Sequence, residues 1–408
     1  MSQMTDTLAA LVRRASVNPM GRKVSGPDYL ETQVSEYLMH RLTAAGLACF
    51  RHQVAPGRCN IYARLDATVS GAPVILWDAH QDTVPIDGMT IEPFSPIVRD
   101  GKLYGRGACD VKGGMTAMLE ALEHLLSSDA PRYVTILFAA TINEEFGFSG
   151  AKALTSLWRT STSACPPKHF VGSLPDAAIV AEPTKLNIVN QHKGAVRWQV
   201  HIHGTASHSS FPERGENAIY RAGHVILAVE SFASELHARN KDHPCGPPTL
   251  SIGTVQGGIG VNLVPDLTVL EIERRVLPEE SPSKARAEVI DRIRSEYDHP
   301  AVEHMAPFLE SSGLSHLNPD SKLIAESLTS AARLVGNSPQ CRAARYGTNA
   351  SIYASADIPS VVFGPGSIDQ AHTADEWIEL KQVDAVISTL VASVITSPTV
   401  LGEVKRLK

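Results

Sequence analysis

The sequence predicts an α/β protein with a mostly parallel sheet that helices cover on both faces. Two observations lead to this fold class: short apolar runs bounded by turn residues recur along the chain, and amphipathic helical patterns lie between them. Strands that alternate with helices favour a parallel sheet buried on both sides. The predicted strands are residues 73–77, 133–140, 177–180 and 360–363, and the predicted helices are residues 29–45, 115–126 and 377–395.

The middle of the chain follows a different pattern. Between residues 194 and 204 apolar and polar side chains alternate, which is the period of a half-exposed strand. A long helical pattern, two more alternating strands and a second helix complete a unit of about 110 residues, the size of an ordinary small domain. We therefore expect one domain built from residues 1–191 and 306–408, with an inserted α+β domain at residues 192–305.

Composition narrows the class of protein and its partners. Of 408 residues, 43% are hydrophobic and 20% are charged, as in soluble globular proteins. A formal charge of -6, without any run of Lys and Arg, argues against nucleic acid as a partner. No stretch approaches the roughly 18 apolar residues of a membrane span, and the first twenty residues lack the apolar core of a secretory signal. We expect a cytoplasmic protein.

The cysteines do not predict a disulfide framework or a thiolate zinc site. They lie far apart and form no C-x-x-C pair, so we expect all of them to be reduced. The six are Cys49, Cys59, Cys109, Cys165, Cys245 and Cys341.

A histidine follows the first predicted strand. His80 falls just beyond the carboxyl end of that strand, where ligands bind in open α/β sheets. Asp82, two residues later, can accept the second imidazole N–H and fix the ring for metal binding. A histidine beside an aspartate also occurs as an ordinary polar pair, so this motif alone does not decide between the two.

A glycine-rich loop carries the next acid. The segment Gly105 to Gly114 begins like a dinucleotide fingerprint, but Asp110 stands where the third glycine belongs, which disfavours a pyrophosphate there. A carboxylate has two oxygens and can bridge two cations when glycines let its backbone approach closely.

Three further strand ends bear acids or a histidine. Glu144 and Glu145 follow one strand, Glu182 follows another, and His372 follows the last through a Gly-Pro-Gly segment. Glu-Glu pairs are common on solvated surfaces, but at the end of an apolar strand they favour one metal ligand and one proton carrier. Two histidines with three carboxylates form the ligand set of paired zinc or related divalent ions.

These motifs, in this order, resemble the zinc exopeptidase and amidohydrolase family that includes acetylornithine deacetylase, succinyl-diaminopimelate desuccinylase, aminoacylase and carboxypeptidase G. The resemblance runs from about Tyr29 to the end of the chain. It implies two zinc ions, with Co²⁺ or Mn²⁺ as substitutes, and a cis peptide bond after the bridging aspartate. In the roles it implies, His80 and Glu182 bind one ion, Glu145 and His372 bind the other, Asp110 bridges them, Asp82 supports the ligands and Glu144 is the general base.

The resemblance also assigns the inserted domain. It implies a lid and dimerisation domain whose His208 reaches a substrate carbonyl, commonly in a neighbouring subunit of a homodimer. Asn262 and Arg275 match positions that hold a substrate carboxylate, although a turn asparagine and a surface arginine would look the same. Two positions depart from the family, which usually has Gly in place of Ala79 and Asp in place of Asn349.

We therefore expect a metal-dependent deacylase that cleaves the amide bond of N-acyl amino acids and is most similar to acetylornithine deacetylase. A di- or aminopeptidase, or a succinyl-diaminopimelate desuccinylase, would use the same metal site. A non-catalytic binding module predicts a missing ligand or base, and none is missing. The expected partner is a small N-acyl amino acid or short peptide, with no nucleic acid and no membrane.

Overall fold

The computed structural model describes residues 2–159 and 168–396. Their contacts divide the chain into two compact units. The first unit is formed by Met1–Asn190, His316–Arg342 and Thr348–Lys408, and the second by Gln191–Ser315 with Ala343–Gly347.

The described part of the chain contains the following helices and strands. The helices are α1 (Gln3–Val12), α2 (Thr32–Ala44), α3 (Gly113–Ser127), α4 (Ser149–Arg159), α5 (Lys168–Val171), α6 (Ala218–Ala238), α7 (Pro282–Glu296), α8 (Pro319–Leu334), α9 (Asn349–Ala354) and α10 (Leu380–Ile395). The strands are β1 (Ala48–Ala55), β2 (Arg58–Leu65), β3 (Val74–His80), β4 (Ile97–Arg99), β5 (Lys102–Tyr104), β6 (Thr135–Thr141), β7 (Ala177–Val180), β8 (Ile188–His192), β9 (Gly194–His203), β10 (Ser207–His208), β11 (Thr249–Gly257), β12 (Leu263–Val264), β13 (Leu267–Val276), β14 (Val302–His304), β15 (Leu309–Ser311), β16 (Cys341–Ala344), β17 (Ser360–Phe363) and β18 (Trp377–Glu379).

An eight-stranded sheet forms the centre of the first unit, in the order β1-β2-β6-β3-β7-β17-β8-β16. The four central strands, β6, β3, β7 and β17, run parallel to one another, while β2 and β8 pair antiparallel at their flanks. The central strands are apolar and buried, because helices cover both faces. The mostly parallel α/β fold is confirmed, and the four strands predicted from the apolar runs are these central strands.

One predicted helix begins later than its pattern suggests. Trp377, Ile378 and Glu379 form β18, which pairs antiparallel with β5, and α10 starts at Leu380. Ile378 is buried opposite Leu103 in this strand pair. Because Ile378 is apolar and directly precedes the helix, the sequence pattern included it in the predicted helix. This short strand pairs with the strand that directly precedes the glycine-rich loop.

The second unit is an antiparallel sheet with helices. Its strands are ordered β11-β13-β9-β14, and β15 also pairs with β9. The apolar face of β9 packs with α6 and α7, as the alternating pattern predicts. The predicted boundary at residue 305 is too early, because β15 extends the pairing of β9 and residues 306–315 and 343–347 join this unit. A strand of three residues carries too little periodicity to be seen in the sequence.

The five cysteines within the described ranges, Cys49, Cys59, Cys109, Cys245 and Cys341, are free thiols, and Cys165 lies outside the described residues. In the portion of the chain that the structure describes, no helix has both the length and the apolar character needed to cross a bilayer.

Candidate metal centre

The parallel strands bring the predicted ligands to one edge of the central sheet. His80 is the last residue of β3, Glu145 follows β6 by a few residues, and Glu182 follows β7. His372 lies beyond β17 in a left-handed backbone conformation, with φ 62°. Because neighbouring parallel strands end at the same edge, residues far apart in sequence meet there.

Two groups of side chains at this edge have the spacing of metal ligands, and they share Asp110. One group is His80, Asp110 and Glu182, and the other is Asp110, Glu145 and His372; within each group the ligand atoms lie within 4.8 Å of one another. Asp110 directs one oxygen to each group: Oδ1 lies 3.0 Å from Nε2 of His80, and Oδ2 lies 3.2 Å from Nε2 of His372. This is the geometry of two cation positions bridged by one carboxylate.

The charges around these groups fit divalent cations. Burial raises the pKa of the Glu182 and Glu145 carboxyls, and the neighbouring acid Asp110 raises them further. The surrounding carboxylates raise the pKa of His372 to about 11, although partial burial opposes this. A buried oxygen of Glu182, Oε1, has no hydrogen-bond partner among the described residues. The residues present therefore fit a pair of cations, which would neutralise the acids and bind the unpartnered oxygen of Glu182.

Glu144 lies beside these groups but belongs to neither of them. Its side chain is buried, and burial together with the charges of Glu145, Asp110 and Asp82 raises its pKa well above the ordinary value. The sequence pattern left open which of the two adjacent glutamates binds metal. In the structure Glu145 belongs to one of the two groups that could hold a metal ion, and Glu144 is a buried acid beside them.

Asp82 supports the site in a different way from the one expected. The Nδ1–H of His80 donates to the main-chain carbonyl of Asp82 at 2.9 Å, whereas the carboxylate oxygen Oδ1 is 3.7 Å away. The carboxylate instead accepts the main-chain N–H of Glu144 at 3.0 Å and of Glu145 at 3.2 Å, and the side-chain amide of Asn18 at 2.7 Å. Asp82 therefore holds the segment that carries both glutamates.

A residue that sequence reasoning missed, Glu376, holds the loop of Asp110. It is buried, and its carboxylate accepts hydrogen bonds from the main chain of the loop and from Arg106. Gly107 in this loop has φ 80°, a conformation that favours glycine. The Asp110–Val111 peptide bond is cis, which confirms the prediction from the family resemblance. A glutamate in a polar segment is common in surface loops, so the sequence gives no pattern that identifies Glu376. The one available signal was its position four residues after His372.

The two departures from the family pattern lie beneath the site. Ala79 is buried within β3. The side-chain amide of Asn349 donates to Oδ2 of Asp78 at 2.9 Å and to Oγ1 of Thr141 at 3.0 Å, and all three side chains are buried. The neutral amide of Asn349 thus donates a hydrogen bond to the buried carboxylate of Asp78 in β3.

In the second unit, two of the predicted substrate residues are neighbours and the third is distant from them. Ser209 N–H donates to the carbonyl of Asn262, and His208 pairs with Leu263 across the short β10–β12 ladder, so His208 and Asn262 lie together on an exposed surface. Arg275 lies on β13 near the end opposite Leu267, and about 26 Å of strand separates these two residues at 3.3 Å per residue. There its Nε lies 3.0 Å from the carboxylate of Glu273.

Comparison with known proteins places the chain in a family. The model of Peptidase family M20/M25/M40 matches residues 76–396. The chain belongs to this family. An acetylornithine deacetylase of Myxococcus xanthus is 30% identical to this M20 chain over 400 residues, covering 95% of the chain and 98% of the relative. The protein is therefore a metal-dependent hydrolase of the M20 family that acts on amide bonds.

Solved structures of M20 proteins have the same fold. An M20 metallo-carboxypeptidase of Sulfolobus solfataricus superimposes with a TM-score of 0.76 at 17% identity, covering 98% of this chain and 100% of that one. A dinuclear metal-binding peptidase of the M20 family from Bacillus subtilis superimposes with a TM-score of 0.66 at 14% identity, covering 98% of each chain. At these identities the similarity establishes the fold.

Proposed function

We propose that this chain is a two-zinc deacylase that hydrolyses the amide bond of N-acyl amino acids. The observation that carries the proposal is the pair of ligand groups sharing Asp110, with the buried acid Glu144 beside them but outside both. The relative from Myxococcus xanthus, which is an acetylornithine deacetylase, supports an N-acyl amino acid as the substrate. Co²⁺ or Mn²⁺ would fit the same nitrogen and oxygen ligands.

His80 and Glu182 would hold one ion, Glu145 and His372 the other, and Asp110 both. Two bound zinc ions would supply Lewis acidity, which lowers the pKa of a water molecule from about 16 toward 7.

Glu144 carries the proton in this reaction. Its carboxylate accepts a proton from the attacking water as the new C–O bond forms at the amide carbonyl. It then returns the proton to the nitrogen as the C–N bond breaks, which leaves a carboxylate and a free amine. Asp82 keeps this acid in place by accepting the main-chain N–H of Glu144. In the second unit, His208 would donate a hydrogen bond to the carbonyl oxygen of the substrate as negative charge develops there.

The separation of the substrate residues within the second unit supports a homodimer. His208 is near the Leu267 end of β13 in the chain, and Arg275 lies about 26 Å along that strand from Leu267, so we expect a small N-acyl amino acid not to reach both residues of one chain. Two copies of the chain can satisfy both contacts if His208 and Arg275 of one chain serve different sites. This arrangement gives the second unit the role of a lid and dimerisation domain. A cytoplasmic location stays a prediction.

The test of the reaction uses Glu144→Gln, which keeps the shape of the side chain and removes the proton carrier. We expect turnover to fall by a factor of about 10²–10⁴ while two zinc ions remain bound, measured by metal analysis after gel filtration. Glu326→Gln makes the same change at an exposed position of α8 and should leave turnover unchanged. Retained activity in Glu144→Gln would exclude Glu144 as the base, and wild-type protein without bound metal would refute the metal centre.

The substrate class is tested with zinc-loaded wild-type protein. We expect the highest kcat/KM on N-acetylornithine or another N-acyl amino acid, compared with succinyl-diaminopimelate and dipeptides. Faster cleavage of dipeptides would favour a peptidase on the same ligands, and preference for the succinyl compound would favour a desuccinylase. No hydrolysis of any of these amides by metal-loaded protein would favour a binding module.

A mixing experiment tests whether His208 acts in the partner. Glu144→Gln and His208→Ala are each expected to be nearly inactive, with the fold intact. If His208 serves the neighbouring site, randomly reassociated dimers regain activity in about a quarter of their sites, because one site of each mixed dimer receives both wild-type residues. If the two variants are inactive and no activity returns after verified subunit exchange, His208 acts within its own chain.

A further inference from the structure

The carboxylate of Glu376 is fully used by the loop that carries the bridging aspartate. Its Oε1 accepts the main-chain N–H of Cys109 at 2.8 Å and of Asp110 at 3.0 Å. Its Oε2 accepts the main-chain N–H of Gly107 at 2.9 Å and a side-chain N–H of Arg106 at 2.8 Å. Three main-chain donors of one loop thus converge on one buried acid, and the Arg106 guanidinium balances its charge.

The position of Glu376 in the chain connects two of the proposed ligands. It lies four residues after His372 and directly before β18. Its main-chain carbonyl accepts the N–H of Gly105 at 3.0 Å, and the next residue, Trp377, pairs with Tyr104. Glu376 therefore joins the segment that carries His372 to the loop that carries Asp110 through both its side chain and its main chain.

We propose that Glu376 is a positioning residue that fixes Asp110 relative to His372 and so sets the affinity of the Asp110–Glu145–His372 group for its cation. This inference rests on the proposed metal centre. Glu376 touches neither substrate nor metal, because all of its acceptor positions are directed at the loop.

The two cation positions depend on Glu376 to different extents. His80 is buried at the end of the central strand β3, so the sheet itself holds it. The side chain of His372 is 49% exposed, and it lies in the loop segment between β17 and Glu376. Loss of the contacts with Glu376 frees this segment and the Asp110 loop together. The group that contains His372 should therefore lose more affinity than the group that contains His80.

The experiment titrates Zn²⁺ into chelator-treated full-length protein by calorimetry. Wild type should bind two ions, and Glu376→Gln should bind one of them about 10–100-fold more weakly, the usual effect of removing a residue that supports metal ligands. The amide of the variant keeps one acceptor oxygen and places an NH₂ group against backbone donors. Glu379→Gln, on β18 but bonded to Gln382, is the matched control and should bind as wild type does.

A second measurement separates positioning from general structural support. Urea unfolding of the chelator-treated proteins reports the stability of the metal-free fold, and the affinity loss is expected even where that stability is retained. Glu376→Asp serves if the Gln variant does not fold, since it keeps the charge beside Arg106 but retracts the carboxylate by about 1.5 Å, one C–C bond. If a folded Glu376 variant binds both zinc ions with wild-type affinity, the inference is overturned. Wild-type protein that binds no zinc would instead refute the metal centre.

Discussion

Replacement of Asp82 by Asn isolates the contribution of one buried carboxylate to the placement of Glu144. The wild-type carboxylate accepts three hydrogen bonds, two at Oδ2 from Glu145 N–H and Asn18 and one at Oδ1 from Glu144 N–H. An asparagine can keep the two bonds at one oxygen. Its NH₂ group then faces the N–H of Glu144, so two donors oppose each other in a buried position.

The size of the effect follows from these contacts. A buried donor left without an acceptor costs about 1–3 kcal/mol, which is the expected loss in the free energy of unfolding. The same mismatch moves the main chain of Glu144, and a displacement of about 1 Å from the reactive position lowers the rate by a factor on the order of 10². Zinc binding should change less, because the oxygen that accepts from Glu145 is retained.

The assay compares kcat, zinc content and urea unfolding of Asp82→Asn with those of wild type. Asn18→Ala is the matched control, because it removes one partner of Asp82 and leaves both glutamate contacts. We expect kcat to fall about 100-fold in Asp82→Asn and only a few-fold in Asn18→Ala. Wild-type kcat in a folded, zinc-loaded Asp82→Asn protein would refute the reasoning.

Three further predictions concern the metal, a buried amide and a buried histidine. Removal of metal with a chelator should abolish activity and lower the unfolding temperature, and Zn²⁺ at about 1,000 times its Kd should restore about 4 kcal/mol of stability, measured calorimetrically; a protein active without metal would contradict this. Asn349→Asp replaces two donated hydrogen bonds by a second buried acid beside Asp78, and should lower the free energy of unfolding in urea by about 2–4 kcal/mol; equal stability would argue against this contact. His192 is fully buried, and burial lowers its pKa from 6.5 to about 4. The unfolded chain therefore binds more protons between these pH values, and stability falls as pH drops below 6.5. In wild type this loss should amount to about 2–3 kcal/mol between pH 7 and pH 4.5, and His192→Asn should remove it. If the free energy of unfolding, measured in urea at each pH, depends on pH equally in both proteins, the effect is excluded.

The central fold could be predicted because its signals are local. Each parallel strand is a short apolar run of four to seven residues, and the helices between them have clear apolar periodicity. The antiparallel hairpin β1–β2 and the three-residue strands β15 and β18 escaped prediction. Polar residues interrupt the first, and the others are too short to show a period.

The order of the acids and histidines in the sequence was sufficient to predict that they meet. His80 ends one parallel strand of the central sheet, and Glu145, Glu182 and His372 follow three others. Such strands end at the same edge whatever the length of chain between them.

Only the tertiary structure shows which atoms contact one another. It places Glu145 and not Glu144 in a group of possible metal ligands, directs the carboxylate of Asp82 to the main chain of both, and brings Glu376 against the loop of Asp110. It also placed Arg275 at the far end of β13 from His208. These relations depend on distances between segments that packing brings together, and a hydrogen bond across hundreds of residues leaves no periodic mark in the sequence.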